Sequence, residues 1–178
     1  MFSFIFYVVA IDDNPYCKKL GYSVTLVYSS KISYSLFMKN YKLLNHTADI
    51  LIEVWGKTRK ELFANAVKAM FDLMIDMSDN KEKKKLAQTT IKIVGNDLED
   101  TLINFLREAL YLFNGQGWLV RDCKPLELDK RRIVAQFQGE PYNRRNNPLK
   151  TEIKAVTYHG LSINRSNKFW QAKVVFDV

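Results

Sequence analysis

The chain has 178 residues, 47% hydrophobic and 26% charged, an ordinary globular composition with enough length for one domain and a sizeable core. Its formal net charge of +8 favours anionic partners such as RNA or an acidic protein face, although the basic residues are spread out and form no long block. The two cysteines, Cys17 and Cys123, form no CxxC and no zinc spacing, which argues against a disulfide scaffold and for a reduced, cytoplasmic protein.

Residues 1–11 form an apolar run too short to span a bilayer. The basic residues of a signal peptide are missing ahead of it, and Asp12, Asp13, Asn14 and Pro15 follow at once. No membrane partner is expected. Residues 22–37, rich in Ser, Tyr and Val, suggest an added hairpin, and Met38 is an alternative start. The expected division is an N-terminal extension over 1–37 and a working domain over 38–178.

The first strongly patterned stretch is Asn45-His46-Thr47-Ala48-Asp49-Ile50, where a His, a Thr and an Asp fall within four positions. Ile50, Ile52 and Val54 then alternate with Leu51, Glu53 and Trp55, the pattern of a strand with one face on a core. A carboxylate at the mouth of such a strand is held by rigid backbone yet reaches solvent, which suits a metal ligand or a catalytic acid. It equally suits a turn in which Asp49 and Thr47 tie up backbone N–H groups, and taken alone the stretch favours that reading.

Thr58-Arg59-Lys60-Glu61 fits a capping box. Leu62, Phe63, Ala66, Val67, Met70, Phe71 and Met74 follow at helical spacing. Met70, Met74 and Met77 read as core because they share a stripe with Phe63 and Phe71. Residues 78–85 form a basic loop with Lys81, Lys83, Lys84 and Lys85, and residues 89–95 alternate as a strand. Asn96 or Asp97 caps a second helix, lined by Leu98, Leu102, Phe105, Leu106, Ala109, Leu110 and Phe113, that Asn114-Gly115 stops. Glu108 lies on this helix, either drawn into a site or at its solvent edge.

From Trp118 the chain reads as strands, with 124–128 and 132–138 joined by a turn. Residues 139–148 read as a polar loop, the longest connection of the domain. Residues 151–158 form a further strand, and 160–164 pair with 169–176 as a closing hairpin. This order predicts an α+β single domain, with two helices packed on a largely antiparallel or mixed β-sheet. There is no phosphate loop, GxGxxG, GxSxG, HExxH or kinase set.

Several of these segments resemble one family, the archeases. Asn45 to Ile50 is similar to the HTADI opening, 61–71 to the first helix ending in AMF, and Asp97-Leu98-Glu99 with 105–111 to the DLE…WLNELLY helix. Gly139-Glu140 resembles the GE loop, 152–159 resembles EVKAVTYH, and Phe176-Asp177-Val178 resembles the closing FDI. The likeness covers residues 41–178, in order. Departures are Phe105 for Trp, Arg107 for Asn, Ile153 for Val and Val178 for Ile.

The resemblance implies a protein without catalysis of its own that serves the tRNA-splicing ligase RtcB, promoting its guanylylation and repeated turnover, with tRNA met through the ligase. It also implies a divalent cation, commonly calcium, with magnesium or manganese as alternatives, on Asp49, Asp177 and Val178. Glu108, Lys154, His159 and His46 are candidates to flank that site or face the partner. An older suggestion for the family is a chaperone-like effect on tRNA methyltransferases. Two rival readings follow from the residues: a basic RNA-binding module, and a metal-dependent hydrolase using Asp49, Asp177 and His46. The hydrolase lacks a recognisable nucleophile–base pair.

Overall fold

The structure is a computed structural model that describes residues 40–44, 49–77, 86–166 and 168–178. The expected extension over 1–37, His46 with the rest of 45–48, and the lysine-rich loop over 78–85 lie outside the described residues.

Both helices begin on the same local device. α1 (Arg59–Met74) follows Gly56-Lys57-Thr58, and α2 (Leu98–Asn114) follows Gly95-Asn96-Asp97. Thr58 Oγ1 accepts from the Glu61 N–H at 3.1 Å, and Asp97 Oδ1 accepts from the Asp100 N–H at 2.8 Å. The acid at that third helical position returns the favour one residue before the cap. Glu61 accepts from the Lys57 N–H at 3.0 Å and Asp100 from the Asn96 N–H at 2.8 Å. Donors left unpaired at each helix start are thereby satisfied by side chains. A Cβ on Gly56 would lie 2.4 Å from the Leu62 nitrogen, and one on Gly95 would lie 2.5 Å from that of Thr101. Each helix therefore sits directly against the end of the strand before it.

Seven strands among the described residues divide into two antiparallel sheets rather than one. The first has the order β1 (Tyr41–Leu44), β2 (Ile50–Gly56), β7 (Phe169–Asp177), β6 (Ala155–Ser166). The second has the order β3 (Ala87–Val94), β5 (Arg132–Pro141), β4 (Trp118–Leu128). The helices join them: α1 packs on β2 and on β4, and α2 packs on β6, β4, β3 and β5. A run of aromatic rings marks the shared core. Phe63 faces Phe105 at 5.9 Å, and Phe105 stacks on Phe137 at 5.3 Å. Met70 and Met74 are fully buried beside them, and Met77 packs against the edge of that core. This is the α+β architecture expected from the order of elements.

Three boundaries differ from expectation. Gly139 and Glu140 belong to β5, paired with Val120 and Leu119, and are not loop. The reason is Arg121, whose guanidinium holds the Glu140 carboxylate across the ladder at 2.5 and 2.8 Å. The strand expected over 151–158 starts only at Ala155. Lys150 and Thr151 instead turn their N–H groups to the Met74 carbonyl, an acceptor that the end of α1 leaves open, at 2.8 and 3.4 Å. β6 then continues without a break through Gly160 to Ser166. Five steps along β6 from Thr157 to Ser162 match two along β7 from Val175 to Lys173, which lifts Tyr158 to Leu161 into a bulge. Gly160, at φ +65°, takes the left-handed conformation within it. No described helix is long and apolar enough to cross a membrane.

Candidate functional site

β2 and β7 run antiparallel with Ile50 opposite Phe176. Asp49 immediately precedes β2 and Asp177 is the last residue of β7, so both fall at the same end of this strand pair. Ala155 of β6 is opposite Asp177, so three strand ends meet at one edge of the four-stranded sheet. Cross-strand partners share a face, and Leu51, Val175 and Thr157 lie on the same face as Asp177. Asp49, Asp177 and Val178 are all partly exposed.

Lys154 closes the edge from the side. Its N–H donates to the Asp177 carbonyl at 2.8 Å, and its ammonium donates to the main-chain oxygen of Val178 at 3.1 Å. α2 pins the same stretch of chain from behind. Asn114 Nδ2 donates to the Ile153 carbonyl and Arg107 Nε to the Val156 carbonyl, each at 3.1 Å. Arg107 and Asn114 are seven residues apart and therefore on one side of the helix. Neither stands out in the sequence as a site residue. Their spacing on α2 is the one signal, and it acquires meaning only once β6 is known to lie alongside.

Charge is the notable property of this edge. Two carboxylates carried to the same end of one strand pair add negative charge that a cation would offset. Lys154 offsets part of that at Val178. The remaining donor chemistry is oxygen: two carboxylates, main-chain oxygens, and the Thr157 hydroxyl, buried on the same face without a hydrogen-bond partner. Such a set fits a hard divalent cation. Among the described residues no three His, Cys, Asp or Glu side chains converge on a metal position. Any cation here would rest on the aspartate pair and main-chain oxygens.

The other expected residues are less closely tied to the edge. Glu108 is partly exposed on α2 next to Arg107, and His159 is exposed in the β6 bulge. Among the described residues no hydrogen bond or ion pair joins either to the aspartates. His46 lies outside the described residues. Arg107 continues outward to stack over the Tyr158 ring at 4.8 Å, and the Tyr158 hydroxyl donates to Asp100. That bond, then the Asn96 N–H, holds the Asp100 carboxyl below its ordinary pKa, and the same bond raises the Tyr158 phenol. Cys123 is free and buried between α1 and β4, where desolvation pushes its thiol pKa far up.

The sequence matches the archease protein family (MTH1598/TM1083) over residues 41–178. It is 39% identical over 147 residues to "Protein archease" of Methanosarcina barkeri, covering 79% of this chain and 97% of that protein. It is 35% identical over 136 residues to "Protein archease" of Ictalurus punctatus, covering 75% and 82%. Among solved structures, the fold is similar to Methanobacterium thermoautotrophicum protein 1598, with a TM-score of 0.58 at 24% identity, covering 79% of this chain and all of that one. It is also similar to an archease from Thermotoga maritima described as a possible chaperone, with a TM-score of 0.50 at 25% identity, covering 77% and 96%. The order of motifs, the two-sheet fold and these likenesses agree: the chain belongs to the archease family.

Proposed function

We propose that this chain is a non-catalytic, cytoplasmic activator of an RtcB-type RNA ligase, acting through a divalent cation held at the edge where β2, β6 and β7 end. The observation that supports this reading is the β2–β7 register: Asp49 immediately precedes β2 and Asp177 ends β7, so the two fall at the same end of one strand pair although 127 residues separate them in the chain. Asp49, Asp177 and the main-chain oxygens of Val178 are the ligands. Calcium suits this oxygen-only set, with magnesium or manganese as alternatives. Few protein ligands leave coordination positions for water or for an acceptor group of the ligase. When bound, the cation supplies positive charge to a phosphate or carboxylate of the partner.

The chain's own part is positional. Lys154 fixes Val178, Arg107 and Asn114 fix Ile153 to Val156, and the β6–β7 ladder fixes Asp177. Such an edge presents a preformed seat to the ligase during its guanylylation. The test is multiple-turnover joining of RNA 2′,3′-cyclic phosphate and 5′-hydroxyl ends by the cognate ligase. Asp49→Asn is expected to remove stimulation and weaken calcium binding by about tenfold or more, with the fold retained. Full stimulation by that variant overturns the reading. A chaperone-like role toward tRNA methyltransferases is the second reading, favoured by the description of the Thermotoga maritima protein as a possible chaperone. It predicts methyltransferase effects that persist in Asp49→Asn.

A further inference from the structure

We infer that the opposite end of the four-stranded sheet binds single-stranded RNA directly. The six steps of β2 from Ile50 to Gly56 carry the chain about 20 Å from the aspartate edge. There the ends of β2, β6 and β7 and the start of α1 gather a different chemistry. Trp170 is opposite Gly56 on one side and Arg165 on the other. The guanidinium of Arg59, from the first turn of α1, lies 5.6 Å from the Trp170 ring centroid, and that of Arg165 lies 5.9 Å away. Lys57, Arg165 and Lys168 are exposed, and Arg59 is partly so. Phe169 at the hairpin tip leaves 44% of its surface to solvent. The nearby acid, Glu61, is engaged by the Lys57 N–H at 3.0 Å.

At this sheet end the guanidinium-flanked indole of Trp170 lies on one face of β7, and the exposed ring of Phe169, its neighbour in the strand, lies on the other. With the four cations they match what a single strand passing the hairpin tip offers. Phosphates meet the cations, and bases stack on flat rings or guanidinium planes without sequence readout. An acidic protein face would meet the same charges. The exposed ring and the guanidinium planes offer stacking surfaces that bases use and acidic side chains do not. The charge and rings alone accept any single strand; the choice of RNA rests on the ligase reading. On that reading the molecule has two working ends, with the cation edge toward the enzyme and the basic end toward the strand being joined.

The experiment is fluorescence anisotropy of the full chain with a labelled single-stranded RNA of about 12 nucleotides, titrated at about 50 and 200 mM NaCl. Binding is expected with a log–log salt slope of about −2 to −3. Arg59→Ala/Arg165→Ala is expected to weaken binding at least about tenfold and to flatten the slope by about 1.4. Phe169→Ala is expected to weaken it by about fivefold or more through lost stacking. Lys57→Glu/Lys168→Glu, at two exposed positions, repeats the test should the arginine pair disturb the fold. Lys92→Ala/Lys124→Ala, on the other sheet, is the control for diffuse charge and is expected to bind as the wild type does. The inference is overturned by no binding at the lower salt, by equal loss in that control, or by a poly-glutamate peptide binding as tightly as the RNA. Asp49→Asn is expected to keep RNA binding, so failure of the ligase reading and failure of this one are separately visible.

Discussion

Among the described residues, Arg121 and Glu140 form the most enclosed ion pair, with side chains 8% and 16% exposed. Asn147 completes the set, its Oδ1 accepting from Arg121 Nη2 at 2.7 Å. Removing one partner strands a charge away from water, which costs far more than the net worth of the pair. Glu140→Ala is therefore expected to lower unfolding free energy by about 3–5 kcal/mol. The double variant Arg121→Met/Glu140→Leu is expected to recover most of that, and urea denaturation measures both. Asp100 offers a second test. Its folded pKa is lowered, so its stabilising effect is present above the unfolded aspartate value of 3.8 and disappears as pH falls through the lower folded value. The stability difference between wild type and Tyr158→Phe, which lacks the donor, is expected to be steady from neutral pH down to about 5 and to shrink below 4. A constant difference down to the acid transition would show that the bond to Asp100 is not its origin. The sequence marks Asp100 as a first-turn acid for α2. It gives no sign that Tyr158, 58 residues later, is its partner.

At the scale of elements, the repeated strand–glycine–cap–helix device carries the fold. The Thr58 box and the Asp97 cap were legible because capping uses residues three apart, and short spacing is visible in a chain. What the sequence hides is the contact of each glycine with the helix it precedes. Gly56→Ala forces a methyl group onto the backbone between Glu61 and Leu62, where neither ladder nor helix yields cheaply. A loss of about 1–3 kcal/mol is expected by thermal or urea unfolding. Wild-type stability in this variant would show that α1 is free to shift off β2. Two of the boundaries that differ from expectation share one cause. Gly139, Pro141 and Gly160 are local breakers of strands. Across the ladder, however, Arg121 holds Glu140, and a bulge absorbs Gly160. Long-range partners outweigh local propensity at these points.

Among the described residues, the buried core runs from Tyr41 to Phe176. A chain shortened to 38–178 is expected to unfold cooperatively, with a midpoint within about 5 °C of the full chain by calorimetry. Loss of cooperativity would mean that the first 37 residues complete the core. The sequence by itself determined the helices, their caps, most strands, the α+β class and, through motifs in order, the family. Each of these rests on spacing of a few residues or on short matched runs. The pairing of strands into two sheets, the register that brings the starts of β2 and β6 to the end of β7, the clamp of Arg107 and Asn114 on β6, and the cation-and-ring cluster around Trp170 were decided by tertiary structure. Those contacts join residues tens to more than a hundred positions apart. Only the closing of the core, which selects one register among many, puts them side by side.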